Sequence, residues 1–112
     1  MGGCVMAAFW SLLIGARHVH PGGRRFSRAD DRRLQRITAE HFPTGYTILE
    51  ARGGWFDPAV GRFVREESRQ VLVASDSVRT VTRWAAALGA ALRQRELLLI
   101  KVGRPRRIVI RK

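Results

Sequence analysis

Residues Gly45–Asp76, GYTILEARGGWFDPAVGRFVREESRQVLVASD, constrain the fold more than any other part of the chain. Tyr46–Ala51 sets Tyr46, Ile48 and Glu50 against Thr47, Leu49 and Ala51, the two-residue period of a strand. Arg62–Ala74 is a second and longer run of this kind, closing on Gln-Val-Leu-Val-Ala. Between them, Gly53-Gly54 and Asp57-Pro58 are turn chemistry, so Arg52–Gly61 is expected to be a loop. Two strands this close in sequence can pair with each other, and what flanks them decides the rest.

Both flanks carry helical spacing. Ser27 stands three residues before Asp30, a capping pair, and Leu34, Ile37 and His41/Phe42 then recur on one stripe. Arg32, Arg33, Arg36 and Glu40 are left for the wet side, and Pro43 and Gly45 stop the helix. On the other flank Ser75-Asp76-Ser77 offers caps, followed by Val78, Val81, Trp84/Ala85, Leu88 and Leu92. Helices are therefore expected near 27–42 and 77–94. Beyond them lie two apolar runs, Met6–Ile14 and Leu97–Val102, the first continuous enough for a central strand buried on both faces. Gly103-Arg104-Pro105 turns the chain into a last short strand at Ile108–Ile110.

The order is β-α-β-β-α-β plus one terminal strand. Two helices cannot cover both faces of such a sheet, so both are expected on one face. That is an α+β, two-layer ferredoxin-like sandwich, built as a single domain over residues 1–112 with a basic tail at 103–112. At 112 residues such a domain buries roughly 65% of its unfolded surface. Its second sheet face stays uncovered, and Leu97–Val102 is apolar on both sides, so a homodimer through the sheet is expected.

The charge balance is the compositional outlier. The formal net charge is +12, and 19 of the 21 basic residues are arginine. Such a balance favours acidic partners: nucleic acid, anionic lipid or another polyanion. Arginine-rich coding bias gives the same excess, and the chain contains no asparagine at all. Nine of the twelve excess charges lie in residues 77–112, whereas residues 44–76 sum to −1. A polyanion site would therefore use Arg104, Arg106, Arg107 and Arg111 in the tail, not the central strands.

Cys4 is alone, so neither an intramolecular disulfide nor a cysteine metal framework can be drawn. Val5–Ile14 is too short to span a bilayer as a helix and lacks the basic residues that precede a secretory signal. As given, the chain is expected in the cytoplasm, with no transmembrane segment; an earlier start codon would make it exported or lipid-anchored.

Several short motifs fit a known pattern together. They are Leu12–Gly15 at the end of an apolar strand, the Pro21–Gly23 loop, and Phe42-Pro43-Thr44-Gly45-Tyr46-Thr47-Ile48-Leu49. Gly53-Gly54-Trp55 and Arg62-Phe63-Val64-Arg65-Glu66-Glu67-Ser68 follow. On these residues the chain resembles an uncharacterised bacterial family of small α+β proteins, over about residues 10–100. The resemblance implies a fold but brings no catalytic or ligand assignment. Members of that family often carry an export or lipoprotein signal, which this sequence lacks, and the arginine-rich tail is a second departure.

Candidate chemistry is sparse. His18 and His20 have the i, i+2 spacing of strand metal ligands, but nothing selects a third ligand, and no metal or cofactor is expected. Arg65-Glu66-Glu67 lacks the upstream glycine and glutamate of a phosphohydrolase motif, and Ser68 lacks a nucleophile elbow. Glu50, Arg52, Arg65, Glu66 and Glu67 lie on strands expected to be neighbours, where they either pair across the sheet or place one carboxylate in a small pocket. Trp55 and Phe56 sit in a glycine-rich stretch, where loop aromatics close over a sheet or mark a contact surface. Three functions follow. The first is a non-enzymatic ligand- or protein-binding domain using Tyr46, Glu50, Arg52, Trp55, Phe56, Arg65 and Glu67. The second is a nucleic-acid or polyanion module using the tail. The third is a small dimeric enzyme with its pocket near the Gly-Gly-Trp stretch. The sequence leans to the first.

Overall fold

The computed structural model describes residues 7–16, 25–94, 97–106 and 108–110. Six elements follow one another: β1 (Phe9–Gly15), α1 (Arg28–His41), β2 (Thr47–Asp57), β3 (Arg62–Ala74), α2 (Val78–Ala91) and β4 (Leu98–Gly103). The strands form one sheet in the order β2-β3-β1-β4, and every neighbouring pair is antiparallel. Both helices pack on the same face. The result is a two-layer α+β sandwich of the ferredoxin-like kind, as the element order implied.

Local chemistry explains the helix starts. The Ser27 hydroxyl accepts the Asp30 N–H at 3.3 Å, and the Asp30 carboxylate accepts the Ser27 N–H at 2.7 Å. This reciprocal box satisfies two of the donors that a helix start leaves free. Ser77 caps α2 with a single bond of this kind, its hydroxyl accepting the Thr80 N–H at 3.1 Å. Asp30 is buried, so the first box also fills a packed site. Replacing Ser27 with Ala is expected to cost about 1–2 kcal/mol. Thermal unfolding should show it as a fall of about 5 °C or more, with Ser27→Asp recovering most of it.

One hydrophobic core lies between the layers. Trp10, Leu12 and Ile14 of β1 and Val71 and Val73 of β3 meet Leu34 and Ile37 of α1 and Val81, Trp84, Leu88 and Leu92 from the α2 side. The Trp84 indole N–H donates to Thr38 Oγ1 at 3.1 Å, and its ring stands edge-on to Phe42 with centroids 5.1 Å apart. That hydrogen bond joins the helices inside the core, and among the described residues no buried side-chain polar atom lacks a partner. Val78, expected on the apolar stripe, instead faces solvent in the first turn of α2.

Three expectations need correction. Arg52–Gly61 is not a loop: β2 continues to Asp57, and only residues 58–61 turn. Gly53 and Gly54 pair with Glu66 and Arg65, while the turn depends on Asp57 and Gly61. The Asp57 carbonyl accepts the Gly61 N–H at 2.8 Å, its carboxylate accepts the Ala59 N–H at 2.9 Å, and Gly61 takes the left-handed φ of +68°. Ile108–Ile110 is not a strand, and its three side chains are exposed. Gly103, at φ +113°, and Pro105 direct the chain off the sheet before a further ladder can form. The first strand begins at Phe9, and its far face is only partly covered, because Phe9 and Leu13 are half-buried.

Candidate functional site

Beyond Gly15, which pairs with Ser68, β1 ends and the hairpin of β2 and β3 continues as a two-stranded ribbon. Its register sets charged groups directly opposite one another. Glu50 faces Arg69, Arg52 faces Glu67, and Gly54 faces Arg65, all on the side of the sheet that carries the helices. Further out, the rings of Phe56 and Phe63 meet edge to face at 5.6 Å, and both remain exposed.

The N-terminal end of α1 completes the site. Arg69 Nε donates to Asp31 Oδ1 at 3.0 Å, with a second contact from Nη2 to Oδ2 at 3.4 Å. This hydrogen bond raises the Arg69 pKa above its ordinary value, against the opposing effect of burial, and the charges of Asp31, Glu50 and Glu67 add to it. A raised arginine stabilises the fold at every pH below its unfolded value and loses that contribution only as pH climbs through the raised value. The Asp31–Arg69 bridge therefore does not weaken through deprotonation of Arg69 in moderately alkaline solution. Arg25, just before the α1 cap, reaches Glu67 at 4.0 Å. The Ala16 N–H donates to the Glu67 carbonyl at 3.0 Å, which anchors the ribbon base to the end of β1.

Two polar cavities that share Arg52 and Glu67 make up a cleft here. One, of about 310 Å³, is lined by Glu50, Ala51, Arg52, Glu67 and Arg69. The other, of about 380 Å³, is lined by Arg25, Arg52, Gly53, Arg65, Glu66 and Glu67. Both lie at the small end of the range for ligand sites. Arg52 and Arg65 have no carboxylate within ion-pair distance among the described residues.

Of the residues singled out in the sequence, Glu50, Arg52, Arg65 and Glu67 come together in this cleft. Phe56 lies further along the same face, at the ribbon tip. Trp55 is a strand residue, in register with Val64. Tyr46 is separate: it packs against the core and lines a depression with Arg32 and Arg36 on α1. Sequence reading missed Arg25, Asp31 and Arg69. Arg69 continues the alternation of Arg65 and Glu67 and was legible there; Arg25 and Asp31 reach the cleft only through the fold. In the tail, Arg104 pairs with Asp76 at 3.5 Å and Arg106 is exposed, while Arg107 and Arg111 lie outside the described residues. His18, His20 and Cys4 also lie outside them. No group of three or more metal-ligating side chains occurs among the described residues. No helix among them is long and apolar enough to cross a membrane.

No protein-family model matches the chain. No curated protein matches it either. Solved structures do. A phage SAM lyase in complex with S-methyl-5′-thioadenosine is similar at a TM-score of 0.58 and 14% identity, over 88% of this chain and 83% of the lyase. CutA from Synechococcus elongatus gives 0.55 and 14%, over 88% and 80% of the two chains. The GlnK–ATP complex of B. subtilis gives 0.52 and 14%, over 88% and 85%. At such identities the likeness shows a shared fold: a small ferredoxin-like α+β domain.

Proposed function

We propose that this chain is a non-enzymatic binding domain that works as a homodimer, joined through the uncovered face of its sheet, with a small polar ligand held in the ribbon cleft. The uncovered face carries the reading. By register, Phe9 and Leu13 of β1, Leu49 of β2, Leu72 of β3 and Leu98 and Ile100 of β4 share the side away from the helices. Leu98 is 56% exposed and Ile100 43%, although both lie in a regular strand. Apart from Ser11 and Gln70, which hydrogen-bond to each other at 3.1 Å, this part of the face is mostly apolar, and exposed apolar side chains grouped on a sheet mark an interaction surface.

The projecting ribbon points the same way, since an isolated two-stranded hairpin is marginal in water.

For the cleft, the lining of arginine, glutamate, glycine and alanine supports binding over nucleophilic chemistry. Two of the structures sharing this fold hold S-methyl-5′-thioadenosine and ATP, which supports a small-molecule role for such a domain. The reading includes membership of the uncharacterised bacterial family whose motifs the chain carries, because its most specific motifs fall on the ribbon and cleft.

Light scattering across the micromolar range tests the assembly. The expected mass is twice 12.6 kDa, with dissociation only on dilution. A mass that stays at that of one chain throughout contradicts it.

A further inference from the structure

We infer that the cleft is an oxyanion site, in which a phosphate or carboxylate group of the ligand seats over the bare backbone at Gly54, between Arg52 and Arg65. This rests on the small-ligand reading above and names the chemistry of that site.

Two independent observations meet here. The first is the pair of guanidinium groups. Arg65 lies directly opposite Gly54, and Arg52 is two residues before Gly54 on the same face. Neither forms an ion pair among the described residues, although Glu66 and Glu67 line the same cavity. Arg25 adds a third guanidinium from the side, 67% exposed and only at 4.0 Å from Glu67. Guanidinium groups present planar, paired donors that match the oxygens of a phosphate or carboxylate.

The second observation is the glycine pair. Glycine inside a strand is destabilising relative to alanine, and more so relative to a β-branched residue. Gly53 and Gly54 sit in the middle of an eleven-residue strand, and neither has a positive φ. Nor does packing require them. A Cβ on Gly53 would meet nothing within 4 Å, and one on Gly54 would meet only the Val64 carbonyl at 3.5 Å, an ordinary contact. The folded chain thus gives no internal reason for Gly54, whose bare side faces the arginines; Gly53 opens to the opposite face of the sheet. Glycine in a strand without such a reason marks the close approach of a ligand or another backbone.

A ligand over Gly54 lies on the helix side of the sheet, so joining two copies through the opposite face leaves it accessible. Glu67, on the same face as Arg52 and Arg65, narrows the choice. It accepts hydrogen bonds from the ligand's neutral or cationic part and repels extended polyanions, so the site suits compact molecules with one anionic end.

The test follows backbone amide shifts of the full-length protein by NMR while pyrophosphate or citrate is added, with affinities from calorimetry. The inference expects saturable shifts at Gly53 and Gly54 with at least one probe, and the tighter of the two identifies phosphate or carboxylate as the source. The double variant Arg52→Gln/Arg65→Gln should bind about tenfold or more weakly, as the loss of charge-assisted hydrogen bonds implies. Gly54→Val should keep or raise the melting temperature and lose binding, because its side chain fills the seat. Arg104→Gln/Arg106→Gln should bind as the parent does. No shift at Gly53 and Gly54 with either probe overturns the inference, as does undiminished binding by the Arg52/Arg65 variant. A dimer that binds neither probe refutes this site alone; a monomer that binds one refutes the assembly alone.

Discussion

Trp84→Ala is expected to abolish cooperative folding near physiological temperature. Trp84 is fully buried, donates its indole N–H to Thr38 Oγ1 and packs edge-on against Phe42. Truncating a buried tryptophan costs about 3–5 kcal/mol through lost transfer energy and the cavity left behind. The variant also strips Thr38, itself fully buried, of its partner from α2, and an orphaned polar group costs about 1–3 kcal/mol more. Set against a typical total of about 5–15 kcal/mol, that is most of the stability of a small domain. Thermal unfolding by circular dichroism should show the transition lowered by about 15 °C or more, or lost. Trp84→Phe keeps most of the ring volume and should fall between this variant and the parent. A melting temperature within a few degrees of the parent for Trp84→Ala contradicts the helix-to-helix core described here.

Ile100→Glu should separate the dimer while leaving the fold intact. Ile100 lies on the edge strand β4, in register with Ser11 of the inner strand β1, and is 43% exposed in the single chain. A carboxylate there is hydrated in the monomer, so the fold tolerates it. Inside a sheet-to-sheet contact it would be stripped of water without a cationic partner, which costs several kcal/mol. The dissociation constant should rise by about a hundredfold or more, and sedimentation should find a single chain at concentrations where the parent is paired. Far-ultraviolet circular dichroism should be unchanged. If the variant sediments as the parent does, the open face is not the contact.

How much of this was legible in the sequence depends on where each signal lies. The Ser27–Asp30 pair and the serine before Val78 are local, so both helix starts were readable to within a residue. Leu34, Ile37, Val81 and Leu88 follow the helical period, and so the core face was readable too. Gly53-Gly54 misled because glycine pairs usually mark turns. Here the pairing of β2 with the long β3 run prevails, and the real turn is the one that Asp57 and Gly61 close. Ile108–Ile110 has strand alternation, but a strand exists only with a partner, and the chain leaves β4 in another direction. For the cleft, the sequence singled out Glu50, Arg52, Arg65 and Glu67 as charged neighbours on adjoining strands, and the register of β2 on β3 puts them on one face. Arg25 and Asp31 could not be found that way, because neither belongs to the ribbon; they arrive with the start of α1.

The claim that the open sheet face is covered by a second copy is tested most directly by isotope-filtered NOE spectroscopy on a mixed sample of labelled and unlabelled chains. The account predicts contacts between chains from the side chains of Leu13, Leu72, Leu98 and Ile100, and none from Leu34 or Leu88, which are fully buried in the core. Absence of any such contact at the open face, or contacts confined to the outer surfaces of α1 and α2, would contradict it.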